Sequence, residues 1–131
     1  MSVARTTEIT ATSKKGFEEA IEKVTELLKE EGFGVLSTID VKDTLKKKID
    51  VDFKRYTILG ACNPHFAYKA LGSEDKLGVL LPCNVIVIEQ ETGTEVCAID
   101  PHSMMDQLGN DNLIEVAEKV NSRFNSIFKK L

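Results

Sequence analysis

Nothing in the 131-residue chain approaches an 18-residue apolar run, and its opening MSVARTTEIT lacks the apolar stretch of a signal peptide. Neither a membrane-spanning helix nor secretion is expected, and cytoplasmic residence follows as the default. A surplus of positive charge is also missing: 17 Lys and Arg stand against 21 Asp and Glu, a net charge of -4. Nucleic-acid binding needs a concentrated cationic footprint. The one basic run, Lys46-Lys47-Lys48, is flanked by Asp43 and Asp50, so it reads as a solvated helix face. Cysteine is scarce and odd in number, and three of them without a secretory signal point to reduced thiols rather than a disulfide framework.

Several chemical signatures are absent as well. There is no C-x2-C or H-x3-H spacing of a dependable zinc site, no glycine-rich strand-to-helix turn of the dinucleotide type, and no G-x-S-x-G or Ser-His-Asp order. What is present is ordinary globular material, 42% apolar and 29% charged. A chain of this length forms one domain, residues 1–131, and buries a core without disulfides or a structural metal.

Val3 to Thr12 alternate weakly and are rich in threonine, which suits a strand with one face on the core. Ser13 follows as a helix N-cap. Phe17, Ala20, Ile21, Val24, Leu27 and Leu28 fall on one helical stripe, and Gly32 supplies the C-terminal cap. Phe33 to Ile39 reads as a second strand, and Asp40 as the cap of a short helix in which Val41, Leu45 and Ile49 recur every four residues. Arg55 to Cys62 is a third strand. Asn63 suits an N-cap and Pro64 the first helical position of a helix running to about Leu71, with Gly72 ending it. Leu77 to Leu81 is a short strand or extended approach broken by Pro82. Asn84 to Glu89 and Thr94 to Ile99 form a hairpin through Gly93. The last helix starts near Asn112 with Glu115 completing a capping box, and it carries Leu113, Val116, Ala117, Val120, Phe124, Ile127, Phe128 and Leu131 as its stripe.

That order, roughly β-α-β-α-β-α-β-β-α with an antiparallel hairpin, favours an α+β fold: an antiparallel sheet with the two long helices packed on one face. The run Val85-Ile86-Val87-Ile88 is apolar on both sides, so its second face needs a cover of its own. A second subunit is the candidate, with the short helices as the competing explanation.

Gly32-Phe33-Gly34 followed by Ile39-Asp40-Val41, then Leu59-Gly60-Ala61-Cys62-Asn63-Pro64 with Ala67, Ala70 and Leu71, then Leu77-Gly78, Leu81-Pro82-Cys83 and finally Asp100-Pro101, resemble the domain of unknown function 302 family. The resemblance spans nearly the whole chain. It implies a small α+β fold with helices on one side of an antiparallel sheet, often as a dimer, and singles out Asn63-Pro64 and Leu81-Pro82-Cys83 as signature positions. It implies no chemistry. His65, His102 and Met104-Met105 lie outside its pattern.

The stretch from Tyr56 to Pro101 holds all three cysteines, all three prolines and His65, with His102 just beyond. Cys83, following a proline at the mouth of a strand, is either an exposed reactive thiol or a buried small hydrophobe. The helix start at Asn63-Pro64-His65 presents N–H groups and a positive dipole end to an anion, or is simply a capped helix. Cys62, His65, Cys83 and His102, with Cys97 and Asp100, are the candidates for a metal, although the spacing favours none; a haem iron could also draw on a histidine, cysteine or methionine. Asp100-Pro101-His102 offers an acid and a base, or a turn.

The resulting expectation is a small-molecule- or anion-binding homodimer with its site near Asn63, Pro64, His65, Cys83 and Asp100, with no nucleic-acid or membrane partner and no identified cofactor. A thiol- or metal-dependent enzyme centred on Cys83 is one alternative. An interaction module without a ligand is the other.

Overall fold

A computed structural model describes residues 8–106 and 108–131. The chain runs through β1 (Glu8–Ser13), α1 (Phe17–Glu30), β2 (Gly34–Asp40), α2 (Val41–Ile49), β3 (Tyr56–Cys62), α3 (Pro64–Ser73), a 3-10 turn (Asp75–Leu80), β4 (Cys83–Gln90), β5 (Gly93–Ile99), α4 (Pro101–Asp106), a second 3-10 turn (Asp111–Leu113) and α5 (Ile114–Lys129). The five strands form one sheet in the order β1-β5-β4-β3-β2, every neighbouring pair antiparallel. This is the α+β architecture expected from the sequence. The part of the anticipated first strand from Val3 to Thr7 lies outside the described residues.

Strand alternation sorts the sheet into two faces. Register places Leu59 opposite Val85 and Val85 opposite Ala98, and Thr57 opposite Val87 and Val87 opposite Val96. Their apolar members join one core with Phe17, Ala20, Val24, Leu27 and Leu28 of α1 and Val116, Val120, Phe124 and Ile127 of α5. Each fully buried side chain of this kind contributes about 1.5–3 kcal/mol. The rings of Phe33 and Phe124 sit 5.1 Å apart, locking the start of β2 against α5. The intervening strand residues Tyr56, Ile58, Ile86, Ile88 and Cys97 point the other way and belong to no part of that core.

Local signals act largely as their chemistry predicts. Asp40 accepts from the Asp43 N–H at 2.9 Å, and Asn63 accepts from those of His65 and Phe66 at 3.1 and 3.3 Å. Gly32 stands at φ +84°, the left-handed conformation that ends α1. The basic run of α2 is solvated: Lys46 and Lys47 pair with Asp50 and Asp43 at 2.8 and 2.9 Å, four residues away in each case.

Five expectations need correction. Ser13 ends β1 instead of capping α1; its hydroxyl accepts from Lys15 N–H, and Gly16 holds the cap position without a side-chain bond. Gly72 does not stop α3, which continues to Ser73 with Glu74 as its cap. Leu77 to Leu81 is no strand: a 3-10 turn buries Leu77 completely in the core, and the Leu81–Pro82 peptide is cis. Asp100-Pro101 opens a helix, α4, because Asp100 accepts from the His102 N–H at 2.9 Å and proline fits a first helical turn. Finally, Asn110 caps a 3-10 turn ahead of α5, so Glu115 completes no capping box. Its carboxylate lies 3.0 Å from Lys119 and 3.4 Å from Lys69. Lys119 first and Lys69 second hold it below the usual range. Among the described residues no helix is long and apolar enough to cross a membrane.

Candidate functional site

β3 and β4 end side by side, with Ala61 opposite Cys83. Cys83 therefore enters the helix-covered core and is only 7% exposed. Burial pushes its thiol up to about 11, and the neighbouring Cys62 thiol adds to the shift. Burial also raises Cys62, which is half-buried at the strand end. Both are neutral thiols at ordinary pH, which is the opposite of what a nucleophilic cysteine requires.

Asn63 is buried and spends its side chain on structure. Its carbonyl oxygen caps α3, and its amide donates to the Glu31 carbonyl at 3.5 Å. The same carbonyl accepts from Arg123 Nη1 at 2.8 Å, and the Arg123 guanidinium lies 5.0 Å over the Phe66 ring. Arg123 thus places a cation at the C-terminal, negative end of α1 while covering an aromatic of α3. Three helices are tied at one point. Because Asn63 already takes the first N–H groups of α3, those donors are committed within the protein rather than to an anion.

Behind this tie lies a small apolar pocket of about 30 Å3, bounded by Cys62, Asn63, Phe66, Leu77, Cys83 and Met105 among others. That is room for one water-sized species. A wider cleft of about 330 Å3 opens between α4 and the start of α5. Met105, Leu113 and Ala117 give it an apolar floor, and His102, Ser103, Asp106, Asn110, Asp111 and Glu118 a polar wall. Its volume reaches the range of small-molecule sites. Met105 borders both spaces and is itself 5% exposed.

The structure brings Asn63, Cys83 and Cys62 around the inner pocket and leaves Pro64 and His65 outside the lining of both spaces. Asp100 stays at the end of β5, accepting from the His102 N–H and from Asn121 Nδ2 at 3.2 Å. Among the described residues no group of three or more His, Cys, Asp or Glu side chains is placed to hold a metal, so Cys62, His65, Cys83 and His102 do not converge. Sequence reasoning misses Arg123 and Glu118. Arg123 directly precedes Phe124 on the buried stripe, where a long cation can lie along the edge of the core toward a neighbouring helix, but nothing in the sequence says which carbonyl it meets.

A crystal structure of an uncharacterized conserved DUF302 protein from Bacillus stearothermophilus is 29% identical and superposes with a TM-score of 0.89, covering 96% of this chain and 98% of that one. No curated protein matches the chain. The sequence model described as domain of unknown function DUF302 matches residues 9–131, nearly all of the molecule from β1 to the end of α5, and the chain belongs to the DUF302 family.

Proposed function

We propose that the protein is a small-molecule-binding homodimer whose ligand occupies the cleft between α4 and α5. The observation that carries this reading is the pairing of volume and lining: about 330 Å3 with an apolar floor at Met105, Leu113 and Ala117 beneath the carboxylates Asp106, Asp111 and Glu118. Such a wall favours a cation over an anion. The fitting ligand is a small amine with an apolar body.

The test uses matched pairs of equal shape and opposite charge: benzylamine against benzoate, and butylamine against butyrate, followed by amide chemical shifts. The amines are expected to perturb α4 and the first turns of α5, and Glu118→Gln to weaken them. Equal response to amines and acids, or shifts confined elsewhere, would remove the cleft from consideration.

The dimer rests on a separate observation. Ile58, Ile86 and Ile39 line up across β3, β4 and β2 on the face away from the main core, and Ile39 is 47% exposed. Packing that face against a second copy would bury an apolar row that the main core leaves out. Sedimentation over a wide concentration range is expected to show a dimer, and Ile86→Glu a folded monomer. A wild-type chain that stays monomeric throughout would sink this part.

The interaction-module reading draws on the same face without the cleft. Its distinguishing result is a dimer that binds neither amine nor acid.

A further inference from the structure

The inner pocket of about 30 Å3 and the cleft of about 330 Å3 have one lining residue in common, Met105. Leu113 and Ala117, the rest of the cleft's apolar floor, are each 1% exposed and border no second space. The floor can therefore lengthen in one direction only, past the Met105 side chain. Behind it lie Phe33, Phe66, Leu77, Val116 and Val120 among others, with no carboxylate, imidazole or amine in the lining. The one amide there, Asn63, is committed to capping α3 and to the Glu31 carbonyl. Such a space accepts an apolar group and rejects a charged one. The cleft in front has the opposite character at its rim, where Asp106, Asp111 and Glu118 are exposed. Among the described residues none of these three is paired with a lysine or arginine; Lys119, next to Glu118 in the chain, turns to Glu115 at 3.0 Å.

Building on the amine reading of the cleft, we propose that Met105 is its length-determining residue. The thioether is the wall on which the ligand's apolar body ends, and the inner pocket is a blind continuation of the cleft that this wall closes. An ammonium head stays at the carboxylate rim, in contact with water, while the body follows the floor inward. Met105 is 5% exposed, so it stands at the end of that floor as part of the core. The pocket behind it has room for one water-sized group, too little for the sulfur and its methyl to retract into together. A chain longer than the floor then meets one of two fates. Its end stays in water and gains nothing, or it drives Met105 into a packed core at a cost greater than one buried methylene returns. The ligand class that follows is a short-bodied primary amine, and discrimination against its longer homologues resides in Met105.

The full-length protein is titrated with the linear primary amines from ethylamine to octylamine, followed by amide and methionine methyl chemical shifts. In the wild type, affinity is expected to rise roughly three- to fourfold for each methylene that leaves water and then to level off. In Met105→Ala the rise should continue by about two methylenes, so that octylamine gains roughly tenfold over the wild type. Propylamine, too short to reach the wall, is expected to bind both alike. Far-ultraviolet circular dichroism checks that the variant folds. Should it not, Met105→Val removes less of the side chain and is expected to move the plateau by about one methylene. The same plateau in the wild type and in a folded Met105 variant overturns the proposal while leaving the cleft as an amine site. So does a wild-type series that keeps rising through octylamine. If neither protein binds any of the amines, the amine reading of the cleft falls, and the role of Met105 falls with it.

Discussion

The two faces of the sheet use the same strands and nearly the same residue types, yet they meet different fates. On one, Leu59, Val85, Val87, Val96 and Ala98 are at most 2% exposed, sealed into one core with α1 and α5. On the other, Ile58 and Ile86 remain partly exposed and Ile39 is almost half open, while Ile88 and Cys97 are buried without joining that core. Even the cysteines divide, Cys83 on the helix side and Cys97 opposite, where it accepts from Thr10 Oγ1 at 3.5 Å. Alternation therefore says which residues share a face, not what covers it. The helix-covered face is a core by itself; the other becomes one only if something is added.

The largest effect that could break this contrast comes from two adjacent residues of β3. Leu59→Ala opens a hole in a sealed core and is expected to cost about 2–5 kcal/mol. Ile58→Ala removes nearly the same atoms from the open face and should cost well under that in dilute protein, where water replaces the lost contact. Urea unfolding at low and high protein concentration measures both. If Ile58→Ala grows costly only at high concentration, a second copy is the missing cover. Equal costs at low concentration would mean that the two faces are sheltered alike and that the contrast is false.

A smaller effect probes the helix-covered side through its proton. Cys83 has a folded pKa of about 11, above its ordinary value of 9.0, so the folded state holds that proton more tightly than the unfolded chain. The stabilisation is complete below about pH 9 and is lost as pH rises toward 11. Over that window the loss is roughly 2–3 kcal/mol. Urea midpoints at about pH 8 and about pH 10.5, on either side of the ordinary thiol range, should fall further apart for the wild type than for Cys83→Ala. Parallel alkaline loss in both would show that Cys83 is far less sheltered than its position implies.

Much of this molecule is readable from the chain, for reasons that are local. The stripes of α1 and α5 are periodic, Asp40 and Asn63 are capping residues at helix starts, and Gly32 sits where φ must be positive. The misreadings arise where tertiary contacts overrule local preference. Leu77 to Leu81 looks extended but coils into a 3-10 turn so that Leu77 reaches the core, and Ser13 looks like a cap but is held in β1 by its pairing with Thr94. The candidate site is less readable. Cys62, Asn63 and Cys83 are recognisable as neighbours because they lie at the ends of adjacent strands, but Met105 joins them only through α4, a six-residue helix whose Asp-Pro start equally well begins a turn. Arg123 meets Glu31 across 92 positions of chain, a distance over which no sequence pattern speaks.

The smallest predicted effect compares two caps. Asn63 and Asp40 do the same job, accepting N–H bonds at the first turns of α3 and α2. Asn63 is buried and also holds the Glu31 carbonyl, where α1, α3 and α5 meet. Asp40 is exposed, and α2 behind it buries none of its residues. Asn63→Ala should therefore cost about 1–2 kcal/mol, and Asp40→Ala about 0.5–1 kcal/mol. Thermal unfolding in dilute protein gives the order. The informative departure is Asp40→Ala costing as much as Asn63→Ala, and only at high concentration. A helix with no buried residue cannot transmit the loss of its cap to the main core within one chain. That result would place α2 against a second copy, and extend the cover of the open face from the sheet to the helix at its edge.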